Sequence, residues 1–136
     1  MKKAAIVLLP VLILSLLPCG CDGAKFVING TGNKQTILVN DAEDGAFARS
    51  ASFSVGKGKR AAIESALDRG ELKIDFTEVT IVRHGDASEE VVMGEVIASV
   101  TVGAGDRSEV SLPQGDYVLQ IAAMGSTKGK VTVLFS

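Results

Sequence analysis

From Gln35 to the end of the chain, apolar side chains fall at every second position in short runs, and each run stops at a cluster bearing glycine or proline. A period of two is that of a strand with one face buried and one in water, whereas a helix would repeat every 3.6 residues. In Glu71–Arg83, Leu72, Ile74 and Phe76 share one face, and Lys73, Asp75 and Thr77 share the other. In Lys130–Phe135, Val131, Val133 and Phe135 alternate with Thr132 and Leu134. The same reading marks Gln35–Val39, Ala46–Val55, Glu90–Val102, Arg107–Leu112 and Tyr117–Met124 as strands. Turns are expected at Glu43-Asp44-Gly45, Gly56-Lys57-Gly58, Gly103–Asp106, Pro113–Asp116 and Gly125–Gly129, where glycine supplies positive φ and proline pre-sets a corner. Strands this short and this frequent predict an all-β fold: a single antiparallel β-sandwich, jelly-roll or Ig-like, of about seven or eight strands.

One piece fits two patterns. Ala61, Ala62, Ile63, Ala66 and Leu67 in Lys59–Asp68 would line one helical face, with Gly70 as a stop signal. Ala61, Ile63 and Leu67 also alternate, and Asp68-Arg69-Gly70 could turn a hairpin into Leu72-Lys73-Ile74. Strand is favoured, because the neighbours on both sides are strands joined by short turns.

The first 21 residues follow different rules. Lys2 and Lys3 precede Ala4–Leu17, an uncharged stretch of 14 residues broken by Pro10. A helix needs about 20 apolar residues to cross a bilayer, so this run is short for a permanent span and fits a secretory signal peptide. Its end, Leu16-Leu17-Pro18-Cys19-Gly20-Cys21-Asp22, resembles the lipobox of bacterial lipoproteins. In that family a small residue precedes a cysteine that is acylated before cleavage, so the resemblance implies lipidation at Cys21 after Gly20, with Cys19 as the alternative. Pro18 stands where the family usually has leucine. Asp22 resembles the inner-membrane retention signal of enteric lipoproteins. An ordinary cleaved signal and an uncleaved anchor are the other readings of this leader. Two acyl chains suffice for stable anchoring, at roughly 0.8 kcal/mol per buried CH₂. The expected organisation is thus a lipoprotein-type signal peptide over 1–21, a polar tether over 22–34 with room for a short first strand at Phe26-Val27-Ile28, and the sandwich over 35–136.

Splitting the leader from the body changes the composition. Both cysteines lie in the leader, as do two of the 14 Lys and Arg and none of the 16 Asp and Glu, so the body carries a net charge of −4. With Cys21 acylated, thiol catalysis, disulfides and cysteine zinc sites are excluded together. An acidic, exported body disfavours nucleic-acid binding. The chain has no Trp and one Tyr, and most of its aromatic residues alternate with polar neighbours as core residues would, so sugar recognition is not indicated.

Three constellations could carry chemistry. His84, the one histidine, lies in Arg83-His84-Gly85-Asp86-Ala87-Ser88-Glu89-Glu90. It could serve as a general base with Asp86 and Ser88, or as a metal ligand with Glu89 and Glu90. Catalytic groups need fixed geometry, so an exposed loop histidine is the better reading. Asn40-Asp41-Ala42-Glu43-Asp44-Gly45 gathers oxygens of the kind calcium prefers, with Asp41, Glu43 and Asp44 as weak ligand candidates. Ala42 and Ala51 stand where an EF-hand loop would need an oxygen ligand and a glutamate, and a turn accounts for the stretch as well. Lys57, Lys59 and Arg60 in Gly56–Arg60 form a candidate anionic-ligand loop; it lacks the glycine and hydroxyl of a phosphate-binding loop, and could equally be a charged hairpin turn.

The layout Phe53-Ser54-Val55, Gly58-Lys59, Gly70–Ile74, Leu112-Pro113-Gln114-Gly115-Asp116-Tyr117–Ile121 and Gly129–Val133 is similar to small β-sandwich lipoproteins of bacterial envelopes. More distantly it resembles jelly-roll domains appended to secreted proteases. The resemblance covers about residues 50–136 and implies a fold, with no catalytic residue carried over. The expectation is therefore an exported protein, lipid-anchored in the cell membrane and facing outside the cytoplasm, with a non-catalytic structural or binding role and no cofactor. The alternative is an accessory lipoprotein recognising an anionic polymer, a metal ion or a protein partner. A small hydrolase centred on His84 ranks last.

Overall fold

The computed structural model describes residues 25–31 and 33–136; the leader, with Cys19 and Cys21, lies outside them. Eight antiparallel strands follow one another: β1 (Phe26–Thr31), β2 (Lys34–Ala42), β3 (Phe47–Arg49), β4 (Phe53–Val55), β5 (Arg60–Arg83), β6 (Glu89–Val102), β7 (Arg107–Ser111) and β8 (Gly115–Phe135). By contacts, Lys25–Thr80 with Met93–Ser136 form the sandwich body, and Ile81–Val92 form a separate hairpin unit.

The body is organised by two long strands, β5 and β8, which lie antiparallel along their length. The first half of β5 has β7 on one side and the last third of β8 on the other, and β2 and β1 extend that layer. The second half of β5 pairs with the first half of β8, which also carries β3 and β4 on its other edge; β6 flanks β5. Both long strands thus pass from one layer to the other. The core is the apolar face of each half-strand: Ile37, Ile63, Val131 and Val133 from the first layer, and Leu72, Ile74, Phe76, Leu119 and Ile121 from the second. A β-sandwich buries facing apolar sides in this way.

The corner is made by glycine. Gly70 (φ +78°) lies at the register shifts of β5, and a Cβ there would stand 2.7 Å from Thr127 Cα. Gly129 (φ +138°) lies opposite on β8, and its Cβ would stand 2.5 Å from Leu67 Cα and 2.7 Å from the Ala66 carbonyl oxygen. The two strands therefore meet backbone against backbone, which no side chain permits. Buried Thr127 fastens the corner, its hydroxyl donating to the carbonyls of Glu71 (3.1 Å) and Gly125 (2.9 Å).

Strand wins over helix in Lys59–Asp68, whose residues from Arg60 on form the start of β5. Asp68-Arg69-Gly70 does not turn a hairpin, and Gly125–Gly129 does not separate two strands; both are bends within continuous strands. A glycine that ends a strand and one that bulges it look alike in sequence. The expected strand Ala46–Val55 is two, because buried Ser50 interrupts it: its hydroxyl accepts the Leu119 N–H at 2.8 Å, taking the place of a backbone acceptor. Within the expected tether, Phe26–Thr31 forms β1 and pairs with β2.

At the other end of the sandwich, Tyr117 is fully buried at the start of β8, and its hydroxyl donates to the Pro113 carbonyl at 2.7 Å. Burial pushes its pKa up, and the charge of Glu78 adds to the shift. A tyrosine tied back to the chain four residues upstream pins the corner through which a strand enters a sandwich.

Candidate functional site

The candidate site lies on the outer face of the second layer. Along β3, Ala48 packs against the core, so Phe47 and Arg49 point the other way. Register extends this face across the layer: Phe47 stands opposite Ala122, which stands opposite Lys73 on its other side, and Arg49 opposite Gln120, which faces Asp75. The next row is Val118 opposite Thr77, and then Asp116 opposite Val79.

This face is partly closed. Val118, Thr77 and Val79 are 1 %, 2 % and 5 % exposed, yet none of them belongs to the core cluster. Arg49 spans the face above them: its Nη1 donates to Met93 Sδ on β6 at 3.4 Å, with β8 and β5 lying between β3 and β6. In the same face, the hydroxyl of buried Thr77 donates to Oε1 of half-buried Gln120 at 2.7 Å. Beside this bridge an open groove of about 340 Å³ is lined by Phe47, Ala48, Arg49, Lys73, Asp75, Gln120, Ile121 and Ala122. A second hollow, of about 470 Å³, lies against Lys25, Phe26, Gly45 and Ala46 and shares Phe47 and Ala48 with the first. Phe47 is thus a ridge between two hollows, and it is 81 % exposed.

The electrostatics single out Arg49. The chain's other four arginines all meet a carboxylate: Arg60 with Glu109 (2.6 Å), Arg69 with Asp41, Arg83 with Glu89 (3.2 Å) and Arg107 with Glu64 (2.5 Å). Among the described residues no carboxylate pairs with Arg49, whose partner is a thioether, a weak acceptor. Asp75 in the same groove is engaged, accepting the Ser99 hydroxyl at 2.5 Å with Lys73 Nζ at 4.0 Å. The groove therefore offers a guanidinium with donors to spare, an exposed aromatic ring, an amide and an ammonium. Those are binding groups; a guanidinium does not give up its proton at neutral pH.

The residues singled out from sequence lie elsewhere. Lys57 and Lys59 are exposed around the turn between β4 and β5, but Arg60, the third member of that loop, is the arginine paired with Glu109 on β7. Asp41 (φ +51°) sits at the register shift of β2 and pairs with Arg69. Asp44 accepts the Gly125 N–H at 2.8 Å, and the Glu43 carbonyl accepts the Ala46 N–H at 3.0 Å. The Asp41 and Asp44 carboxylates thus serve the fold, Glu43 does so through its backbone carbonyl, and among the described residues no three His, Cys, Asp or Glu side chains converge on a metal position.

In the hairpin Ile81–Val92, His84 is exposed, with Nε2 3.3 Å from Glu90 Oε1. Asp86 accepts from both the Ser88 hydroxyl (2.6 Å) and the Ser88 N–H (3.1 Å), and these bonds hold its carboxyl below the ordinary carboxylate range. The Ser88 proton is thus directed at Asp86, where a His84-based nucleophile would need it directed at the imidazole. The hairpin closes through His84 N–H to Ser88 O (2.9 Å) and Ala87 N–H to His84 O (3.0 Å), with Ala87 at φ +72°.

Sequence reasoning missed Phe47 and Arg49. In Ala46–Arg49 the small alanines face inward and the large aromatic faces out, the reverse of what size and hydropathy suggest. The one available signal was a phenylalanine and an arginine two residues apart in an alternating strand, which places them on one face.

No protein-family model and no curated protein matches the chain. Among solved structures it is similar to the cupin domain of Drosophila melanogaster CENP-C, at 10 % identity over 82 % of this chain and 71 % of that one, with a TM-score of 0.34. It is similar at 11 % identity to Drosophila melanogaster CENP-C bound to CAL1, over 82 % of this chain and 76 % of that one, with a TM-score of 0.35. A further likeness is to the CBM22-1–GH10 modules of Clostridium thermocellum xylanase 10B complexed with xylohexaose, at 17 % identity over 84 % of this chain and 25 % of that one, with a TM-score of 0.37. At these scores none of them bears on what this chain binds.

Proposed function

We propose that this chain is an exported, lipid-anchored, non-catalytic binding module, held at the cell envelope through Cys21 and binding through the face that carries Phe47 and Arg49. The observation behind the binding face is the state of Arg49, the one arginine of five whose partner, among the described residues, is not a carboxylate. An exposed arginine whose protein partner is only a weak acceptor keeps its donors free for a ligand carboxylate, which it can bind with two parallel hydrogen bonds. The anchor rests on the leader: Lys2 and Lys3, the uncharged run Ala4–Leu17, and Gly20-Cys21 at its end. A domain tethered there faces the polymers and surfaces outside the cytoplasm, and its net charge of −4 favours a local cationic groove over a general basic surface.

Two measurements test this reading. Growth with a palmitate analogue labels the wild-type chain and leaves Cys21→Ser unlabelled; equal labelling removes the anchor. Purified in mild detergent, the chain sediments with protein-free envelope polymer, and Arg49→Gln stays in the supernatant. Equal sedimentation of the two removes the binding face.

A further inference from the structure

We infer that the groove beside Phe47 takes an acidic polysaccharide, with Arg49 on a sugar carboxylate and Phe47 stacked on a ring; this rests on the binding face proposed above.

The charge of the ligand follows from the groove's own pairing. Asp75 is satisfied by Ser99 and faces Lys73, so the residual charge of the site is the guanidinium of Arg49. Its planar fork matches a carboxylate in two parallel bonds, which a thioether cannot offer. When the ligand arrives, Arg49 exchanges Met93 Sδ for two carboxylate oxygens, and nothing else in the groove must give up a partner.

That the ligand is a sugar follows from where the groove lies. Extended peptides are commonly captured at sheet edges, where unpaired backbone groups hydrogen-bond them. This groove instead crosses a sheet face where the backbone groups of β8 and β5 are spent in pairing, while β3 at its margin pairs with β8 on one side and, among the described residues, leaves its outer edge open. Recognition there falls to side chains, and those present are flat: the ring of Phe47, the amide of Gln120 and the guanidinium of Arg49. Gln120 accepts the Thr77 hydroxyl at Oε1, which leaves both Nε2 hydrogens to donate to hydroxyl oxygens of a ligand. A pyranose presents an apolar C–H face to an aromatic ring and a rim of hydroxyls to planar polar groups. The two hollows that share Phe47 place open space on both sides of the ring, as a chain of several sugars requires.

The test is affinity electrophoresis of the full chain in non-ionic detergent, through gels holding polygalacturonate, alginate or hyaluronan, or the carboxyl-reduced form of each. Retardation by at least one acidic polymer is expected, with little by its reduced form. Phe47→Ala and Arg49→Gln each weaken retention about tenfold or more, and Arg49→Lys, which keeps the charge and loses the fork, falls between. Lys57→Gln with Lys59→Gln leaves retention unchanged. Phe47 and Arg49 are exposed, so circular dichroism of these variants should overlay the wild type. No retention by any of the three acidic polymers overturns the inference, as does stronger retention by poly-glutamate, which would assign the groove to an acidic peptide. Loss in the lysine double variant with none in Arg49→Gln overturns it too. Equal retention by acidic and reduced polymers, abolished by Phe47→Ala, overturns the carboxylate preference and leaves the binding face standing. Sedimentation with envelope polymer reads that face independently.

Discussion

Gly129→Ala strikes the point where the two long strands cross between layers. The new methyl would stand 2.5 Å from Leu67 Cα, 2.7 Å from the Ala66 carbonyl oxygen and 2.8 Å from the Asp68 nitrogen. All three are backbone atoms, so no rotamer change relieves the clash. The residue also sits at φ +138°, a region open almost only to glycine, where strain costs about 1–3 kcal/mol. Overpacking against fixed atoms adds about 1–3 kcal/mol. The sum, about 2–6 kcal/mol, is a large share of the roughly 5–15 kcal/mol that holds a domain folded. Gly58→Ala is the control: it has φ +75° and open space around its Cβ, so it carries the dihedral cost alone, about 1–2 kcal/mol. Urea denaturation followed by circular dichroism gives both values from the midpoint and slope. A Gly129→Ala loss no larger than that of Gly58→Ala would refute the backbone-to-backbone corner.

Two further predictions concern other parts of the fold. Tyr117→Phe removes the hydroxyl bonded to the Pro113 carbonyl and should cost about 1 kcal/mol near neutral pH. Because the folded-state pKa of Tyr117 is raised, its contribution is complete below the unfolded value near 10 and is lost as pH rises through the folded value. The variant should lack that part of the alkaline fall in stability, and a wild-type-like fall measured by urea titration across the alkaline range would count against it. Ala87→Gly relieves a positive φ of 72° in the Ile81–Val92 turn and should stabilise by about 1 kcal/mol, read as a higher urea midpoint; a lower midpoint would show that the turn does not strain alanine.

The alternation of Leu72, Ile74 and Phe76 and of Val131, Val133 and Phe135 made the core strands readable, because burial of one sheet face enforces a strict period of two. Continuity across Gly70 and Gly129 was not readable, since the same glycine serves a turn or a bend, and which one forms depends on a partner strand about sixty positions away. Ser50 is a similar case: only the proximity of Leu119 reveals that its hydroxyl replaces a backbone acceptor. The candidate site was obscured twice. Phe47 looks like a core residue until its neighbours Ala46 and Ala48 are found packed against the core. Arg49 looks like any surface arginine until the other four are found paired. The loop lysines and the His84 cluster were conspicuous because their residues adjoin in sequence, yet ion pairs and turn bonds account for several of them.

The most direct test is an NMR titration of the isotope-labelled chain with short uronic-acid oligomers, following side-chain as well as backbone signals. The largest shifts are expected at Arg49 Nε–H, the Phe47 ring and the Gln120 side-chain amide, with the Met93 methyl moving as Arg49 leaves its sulfur. Shifts concentrated at Lys57 and Lys59 or at His84–Glu90, with Arg49 and Phe47 unmoved, would contradict the account.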